Sequence, residues 1–178
     1  RHIESRIAQI DRDGRADGID VIVKSTPATP FIAVNCTCES MDEAVRMVRT
    51  VAEEGTRQIR PALRDKLVVV ARNDVDSEKI DLDIGFSLTR PANASVRVAG
   101  DLVLRVGELP AVETMATVVR PGTNAESHTS FGTVGRWIEA NAYEIAGPCR
   151  EVFLEPITGP PGFEGAMVEI QFPVRKAA

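Results

Sequence analysis

The sequence predicts an α+β fold in which a strand–helix–strand–strand unit occurs twice, with a ligand cleft between the copies. Three observations carry this. Stretches that alternate apolar and polar residues mark strands, as in Ile80, Leu82, Ile84, Phe86 and Leu88 against Asp81 and Asp83. Two capping boxes, Ser40-Met41-Asp42-Glu43 and Thr123-Asn124-Ala125-Glu126, each open a helical run. The elements also recur in one order. Pro27-Ala28 matches Pro110-Ala111 at an offset of 83 residues, and Leu82-Asp83-Ile84-Gly85-Phe86 matches Val168-Glu169-Ile170-Gln171-Phe172 at an offset of 86. Two half-sheets, each covered by one helix, would pack about a pseudo-twofold axis and leave the cleft at that axis.

The chain has 178 residues, of which 43% are hydrophobic, enough to build a core. Its net charge of −5 gives no basis for gripping nucleic acid unaided. Its apolar runs are strand-sized, so neither a membrane partner nor a signal peptide is expected. Cys36 and Cys38 complete no standard zinc spacing with His2 or His128 and read as reduced thiols of a cytosolic protein; no metal or other cofactor is expected.

Taken in order, residues 1–14 read as a helix, with Ile3, Ile7 and Ile10 at i, i+4 and i+7 and Gly14 as its stop. Such a narrow stripe fits the end of a coiled-coil dimerisation helix, or a short helix packed on its own domain. The chain begins at Arg1 within this pattern, which suggests a fragment of a longer protein. Residues 15–19 read as a polar linker, and the domain is expected over 20–178, with repeat one at 20–90 and repeat two at 101–175. Residues 20–35 are extended, broken by Pro27 and Pro30. A helix follows Ser40, its stripe Met41, Ala44, Val45, Val48, Val51 and Ala52, ending at Gly55. Strands are expected at 67–71 and 79–88, with a break at Pro91-Ala92-Asn93. Residues 101–119 are extended again. A second helix follows Thr123, with Phe131, Val134 and Ile138 as core and Trp137 beside them.

The last two strands, 150–155 and 166–174, carry the candidate site. Alternation places Val152 and Leu154 on one face of the first strand, with Glu151 and Phe153 on the other. In the second strand Val168, Ile170 and Phe172 oppose Met167, Glu169 and Gln171. If the aliphatic faces meet a core, Glu151, Phe153, Met167 and Glu169 form one partly greasy, partly anionic wall. Glu151 reads as a pocket acid or as half of a salt bridge, and Glu169 has the same two readings. Asp83, the repeat counterpart of Glu169, reads as a solvated strand residue. Trp137 reads as core or as pocket wall.

Several motifs together resemble a known family. They are Val21-Ile22-Val23-Lys24 with Pro27, Leu109-Pro110-Ala111, Trp137-Ile138-Glu139-Ala140-Asn141, the run from Gly147 through Cys149-Arg150-Glu151-Val152-Phe153-Leu154, and Val168-Glu169-Ile170-Gln171-Phe172-Pro173-Val174. Over about residues 20–175 the chain resembles the GyrI-like (gyrase-inhibitor-like) ligand-binding domain, often the C-terminal effector domain of MerR-family multidrug-sensing transcriptional regulators. The resemblance implies two strand–helix–strand–strand repeats, a pocket between them, and a buried acid that recognises lipophilic, cationic small molecules. It assigns ligand binding to Glu151, Phe153, Trp137, Met167 and Glu169. It also implies a cytoplasmic homodimer that contacts DNA through an N-terminal helix-turn-helix domain absent from this chain. The sequence departs from the family in having Phe153 where Tyr is usual, and Arg120-Pro121-Gly122 where Gly-Pro-Tyr is common. Aromatic residues make up only 4%, which points to a smaller, more aliphatic ligand than a flat aromatic drug, or to weak promiscuity.

The expectation is therefore a ligand sensor and not an enzyme. Two alternatives share the scaffold. One is a hydrolase using Glu151 and Glu169 as paired acid and base on a reactive small molecule. The other is a protein-binding module of the gyrase-inhibitor kind.

Overall fold

The computed structural model describes residues 5–10, 16–72, 78–121, 124–156 and 166–178, the side chains of 5–10, 16–19 and 124–130 excepted. The elements in chain order are β1 (Ser5–Ile10), β2 (Ala16–Thr26), β3 (Thr29–Cys38), α1 (Met41–Gln58), β4 (Arg64–Ala71), β5 (Ile80–Leu88), β6 (Val96–Ala99), β7 (Leu102–Leu109), β8 (Val112–Pro121), α2 (Asn124–Ala140), β9 (Tyr143–Ile145), β10 (Cys149–Phe153) and β11 (Met167–Lys176). The order β3-α1-β4-β5 recurs as β8-α2-β10-β11, with β9 inserted. All strands join one antiparallel sheet in the order β1-β2-β8-β11-β10-β4-β5-β3-β7-β6, with β9 on β11.

This sheet curls until strands far apart in its order meet. In the strand order β2 and β3 are separated by β8, β11, β10, β4 and β5, yet only Pro27 and Ala28 connect them. Six strand spacings would span about 28 Å if the sheet were flat. Three residue steps reach only about 11 Å. Pro110 and Ala111 impose the same closure between β7 and β8. The pairings Thr26↔Val112 and Thr29↔Leu109 continue across both breaks, so β2-β3 and β7-β8 form one long ribbon bent at its prolines. Proline suits a bend because it has no N–H to give to a ladder.

The curled sheet has two faces. The inner one packs Phe31, Val68, Val70 and Leu109 together, with Val152 beside them. The outer one carries the helices. Beneath α1 lie Ile32, Ile84, Phe86, Leu104 and Phe153. Beneath α2 lie Val21, Ala116, Val118, Ile170 and Phe172, covered by Val134, Trp137 and Ile138.

Helix α1 starts as its capping box predicts. Ser40 Oγ accepts from Glu43 N–H at 3.1 Å. Glu43 returns the bond to Glu39 N–H at 2.8 Å, one residue earlier than the motif implies. Gly55 does not end this helix, which continues to Gln58. Its place is set by packing: a Cβ there would stand 2.2 Å from Cε2 of Phe86, so only glycine lets α1 lie this close to β5. The second capping box rests on Thr123, outside the described residues. Among the described residues no helix is long and apolar enough to cross a membrane.

The expected N-terminal helix is corrected over residues 5–10; the rest of 1–14 lies outside the described residues. Ser5–Ile10 is a strand that pairs with β2, and β2 begins at Ala16, inside the expected linker. An isolated helix shorter than about 12 residues is marginal in water. The open edge of β2 offers a row of unpaired N–H and C=O groups, and extended residues satisfy them.

Gly55→Ala tests the close approach of α1 to β5. Alanine favours an exposed helix over glycine by about 1 kcal/mol, but overpacking costs about 1–3 kcal/mol. Urea unfolding of Gly55→Ala is expected to show net destabilisation. A gain in stability would mean that Phe86 moves aside at no cost.

Candidate functional site

Strand β10 lies at the centre of the sheet, between β4 and β11. Its register decides what each of its side chains meets. Glu151 lies opposite Val69 on β4 and Ile170 on β11, and Phe153 lies opposite Leu67 and Val168. Directly opposed residues of antiparallel strands share a face. Glu151 and Phe153 therefore lie on the helix-covered outer face, while Arg150 and Val152 point to the inner one. This corrects the expected wall. Val152 does not share a face with Val168 and Ile170, and Glu151 does.

The position of Glu151 on that face is distinctive. Two residues before it, Cys149 packs against the core under α2. Two residues after it, Phe153 belongs to the core under α1. Glu151 thus stands where the two helix-covered halves meet. Its side chain is partly exposed, yet the protein surrounds it closely enough that burial alone pushes its carboxyl up to about 7. None of the hydrogen bonds or ion pairs among the described residues reaches it. The neighbouring carboxylate also adds to burial in driving the Cys149 thiol upward.

Glu169 has the opposite surroundings. It faces inward, opposite Val152 on β10 and Val119 on β8. Lys24 Nζ lies 3.0 Å from its Oε1 and 3.1 Å from its Oε2, and Gln171 Nε2 donates to Oε1 at 2.7 Å. Of its two sequence readings, the salt bridge is the one seen. Met167 shares that inner face by its register. The five candidate residues therefore do not form one wall. Glu151, Phe153 and Trp137 belong to the outer side, Met167 and Glu169 to the inner.

Trp137, 1% exposed, lies in the core under α2 and stacks on Tyr143 with ring centroids 5.7 Å apart. Its indole Nε1 is buried without a hydrogen-bond partner among the described residues. Phe153 forms part of the floor of a groove of about 630 Å³ between the C-terminal half of α1, the start of β4 and the end of β10. That groove does not include Glu151. Asp83 accepts from Asn35 Nδ2 at 2.9 Å and pairs with Arg72. Cys36 and Cys38 lie buried beneath α1, where burial pushes the Cys36 thiol up to about 11. Among the described residues no group of His, Cys, Asp and Glu is arranged to hold a metal. The side chain of His128 lies outside the described residues.

Sequence reasoning missed Arg150. It is buried on the inner face, opposite Gln171 and Val70, and its Nη2 donates to the Pro110 carbonyl at 2.7 Å. It therefore joins the central strand to the bend of the ribbon. Its charge alone could not reveal this, because the bend is 40 residues away in sequence.

No known family profile and no curated protein matches the sequence. Solved structures do match. The C-terminal domain of EcmrR aligns at a TM-score of 0.71 with 18% identity, over 90% of this chain and 99% of that one. EcmrR in its complex with DNA gives the same score and identity over 89% of this chain and 58% of that one, so the chain spans a little over half of that protein. SAV2435 bound to tetraphenylphosphonium aligns at 0.55 with 13% identity, over 86% of this chain and 92% of that one. The chain has the GyrI-like effector-domain fold. On this GyrI-like scaffold a hydrolase from Listeria innocua also aligns, at 0.51 with 12% identity over 87% of this chain and 91% of that one.

Arg150→Met would keep the apolar stem and leave the Pro110 carbonyl unpaired. Urea unfolding should show a loss of about 1–3 kcal/mol; no loss would mean that the bend holds without it. Glu151 gives a pH signature. Its folded value, about 7, lies above the ordinary 4.5, so the folded chain holds this proton more tightly. The associated stability is fully present below 4.5 and is lost as pH rises through about 7. Relative to the wild type, Glu151→Gln should therefore gain stability above pH 7, and the difference should shrink on acidification. A pH-independent difference would show that burial does not act on this carboxyl.

Proposed function

We propose that this domain is the ligand-sensing effector domain of a MerR-type transcriptional regulator, and that Glu151 is the acid that recognises a lipophilic cation. The observation that carries the proposal is a carboxyl group on the central strand, between the two helix-covered halves, with no hydrogen-bond or ion-pair partner among the described residues. Such a group has little reason to persist for stability, since burying it unpaired costs free energy. A cation that docks there restores the charge balance, and the attraction is stronger than in water because the surroundings are apolar. SAV2435, on the same fold, is seen with tetraphenylphosphonium, and EcmrR is seen with DNA; both support the reading. Phe153 and Trp137 back the site from either half. Met167 and Glu169 support it from the inner face without touching the ligand.

In a longer protein the domain would act in the cytoplasm, in a homodimer whose DNA contacts come from an N-terminal helix-turn-helix domain. The ligand would bind one arrangement of the dimer better and shift the population toward it. The hydrolase alternative used Glu151 and Glu169 as a pair, and their location on opposite faces of the sheet removes that pairing.

Calorimetry with an alkylammonium probe between pH 5.5 and 8.5 tests the proposal. A protonated carboxyl must release its proton to accept a cation. Affinity is therefore expected to rise about tenfold per pH unit up to about pH 7 and to level off above it. Glu151→Gln should weaken binding and flatten the profile. Binding that ignores pH, or that survives the substitution, would refute Glu151 as the pocket acid.

A further inference from the structure

We infer that the cation recognised at Glu151 carries N–H donors on an aliphatic body: a primary ammonium ion, in preference to a quaternary or aromatic cation. The inference rests on the reading of Glu151 as the pocket acid and narrows its ligand.

The first ground is the hydrogen-bonding deficit at the carboxylate. An ionised carboxylate offers about four acceptor sites. No donor among the described residues fills any of them. A quaternary cation would cancel the charge and leave the acceptors empty in a mostly buried place, which keeps most of the desolvation cost. An ammonium group supplies charge and donors together, and charge-assisted hydrogen bonds of this kind are among the stronger ones in proteins.

The second ground is the state of the aromatic rings. A cation–π contact needs a ring face within about 6 Å of the cation. Phe153, Phe172 and Trp137 are only 4%, 8% and 1% exposed. Trp137 already stacks on Tyr143, and the Lys176 ammonium lies 4.2 Å from the Tyr143 ring centre. Phe172 meets the edge-on ring of Phe131 at 5.8 Å. The immediate cross-strand neighbours of Glu151 are Val69 and Ile170, which offer only aliphatic contact. The described site thus has an acceptor to offer a cation and no open ring face.

The test compares n-hexylammonium, trimethyl(hexyl)ammonium, 1-hexanol and tetraphenylphosphonium by calorimetry at pH 8 on the full chain and on Glu151→Gln. The first two share tail and charge and differ only in N–H donors, so the comparison is made within the wild type and does not depend on how the variant folds. Hexylammonium is expected to bind about 10- to 100-fold more tightly than its trimethyl analogue, with hexanol weaker than either and tetraphenylphosphonium weaker than hexylammonium. If the trimethyl analogue or tetraphenylphosphonium binds as tightly as hexylammonium and Glu151→Gln loses both, the donor inference is overturned while the pocket-acid reading stands. If no cation binds, or Glu151→Gln binds hexylammonium as the wild type does, the pocket-acid reading falls and this inference falls with it.

Discussion

Two pairs of residues, Pro27-Ala28 and Pro110-Ala111, hold the distant ends of one antiparallel sheet together. The reach of those short connections is a covalent limit, and much of the fold follows from it. Both helices lie on the outer face of the curled sheet. The closure also sets β4 and β10 side by side at the middle of the sheet. Whatever β10 presents outward then stands at the meeting of the two halves. Arg150 adds an internal tie, from that same central strand to the Pro110 carbonyl at the bend. Among the described residues the bend gives this carbonyl no ladder partner, so the guanidinium answers a need that the proline bend creates.

Arg150 and Glu151 illustrate how one strand serves both faces. They are adjacent in sequence, and alternation sends one inward and the other outward. The inward charge is bonded. The outward one has no such bond among the described residues, and burial is what acts on its carboxyl. Glu169 shows what the chain does with a carboxylate that is structural: it receives a lysine and an amide within 3.1 Å. The contrast between the two glutamates, on neighbouring strands of the same sheet, supports the proposal that Glu151, more than Glu169, is a recognition group.

Most elements were legible in the sequence because their signals are local. The capping box at Ser40 and the alternation in β5 needed no tertiary information. The failures come from tertiary pairing. Ile7 and Ile10 fit a helical spacing, but the edge of β2 that recruits this segment lies in another element. Strands β6 and β9, four and three residues long, are too short to show a period. The face assignment failed for a sharper reason. Alternation sorts each strand into two faces, but it does not say which face of one strand joins which face of the next. A shift of one residue in register exchanges them, and here Glu151, and not Val152, stands opposite Ile170. Glu151 itself was legible through its motif. The partner of Glu169 was not, since Lys24 lies 145 residues away.

The number of carboxylates at the junction bears on what the site can do. A paired acid and base acting on one bound molecule need two titratable groups with separated pKa values within reach of the same atoms. Glu151 meets Val69 and Ile170 across the strands, and the second glutamate faces away through the sheet. A carboxyl without a partner among the described residues can still do one thing. On the proposed reading it is neutral when the site is empty at mildly acidic pH, and it becomes an anion when a cation replaces its proton. That exchange costs less than burying a fixed charge and gains more than pairing in water. On the proposed reading the arrangement suits reversible binding, with the free energy of the new ion pair available to bias the two halves that meet at the same residue.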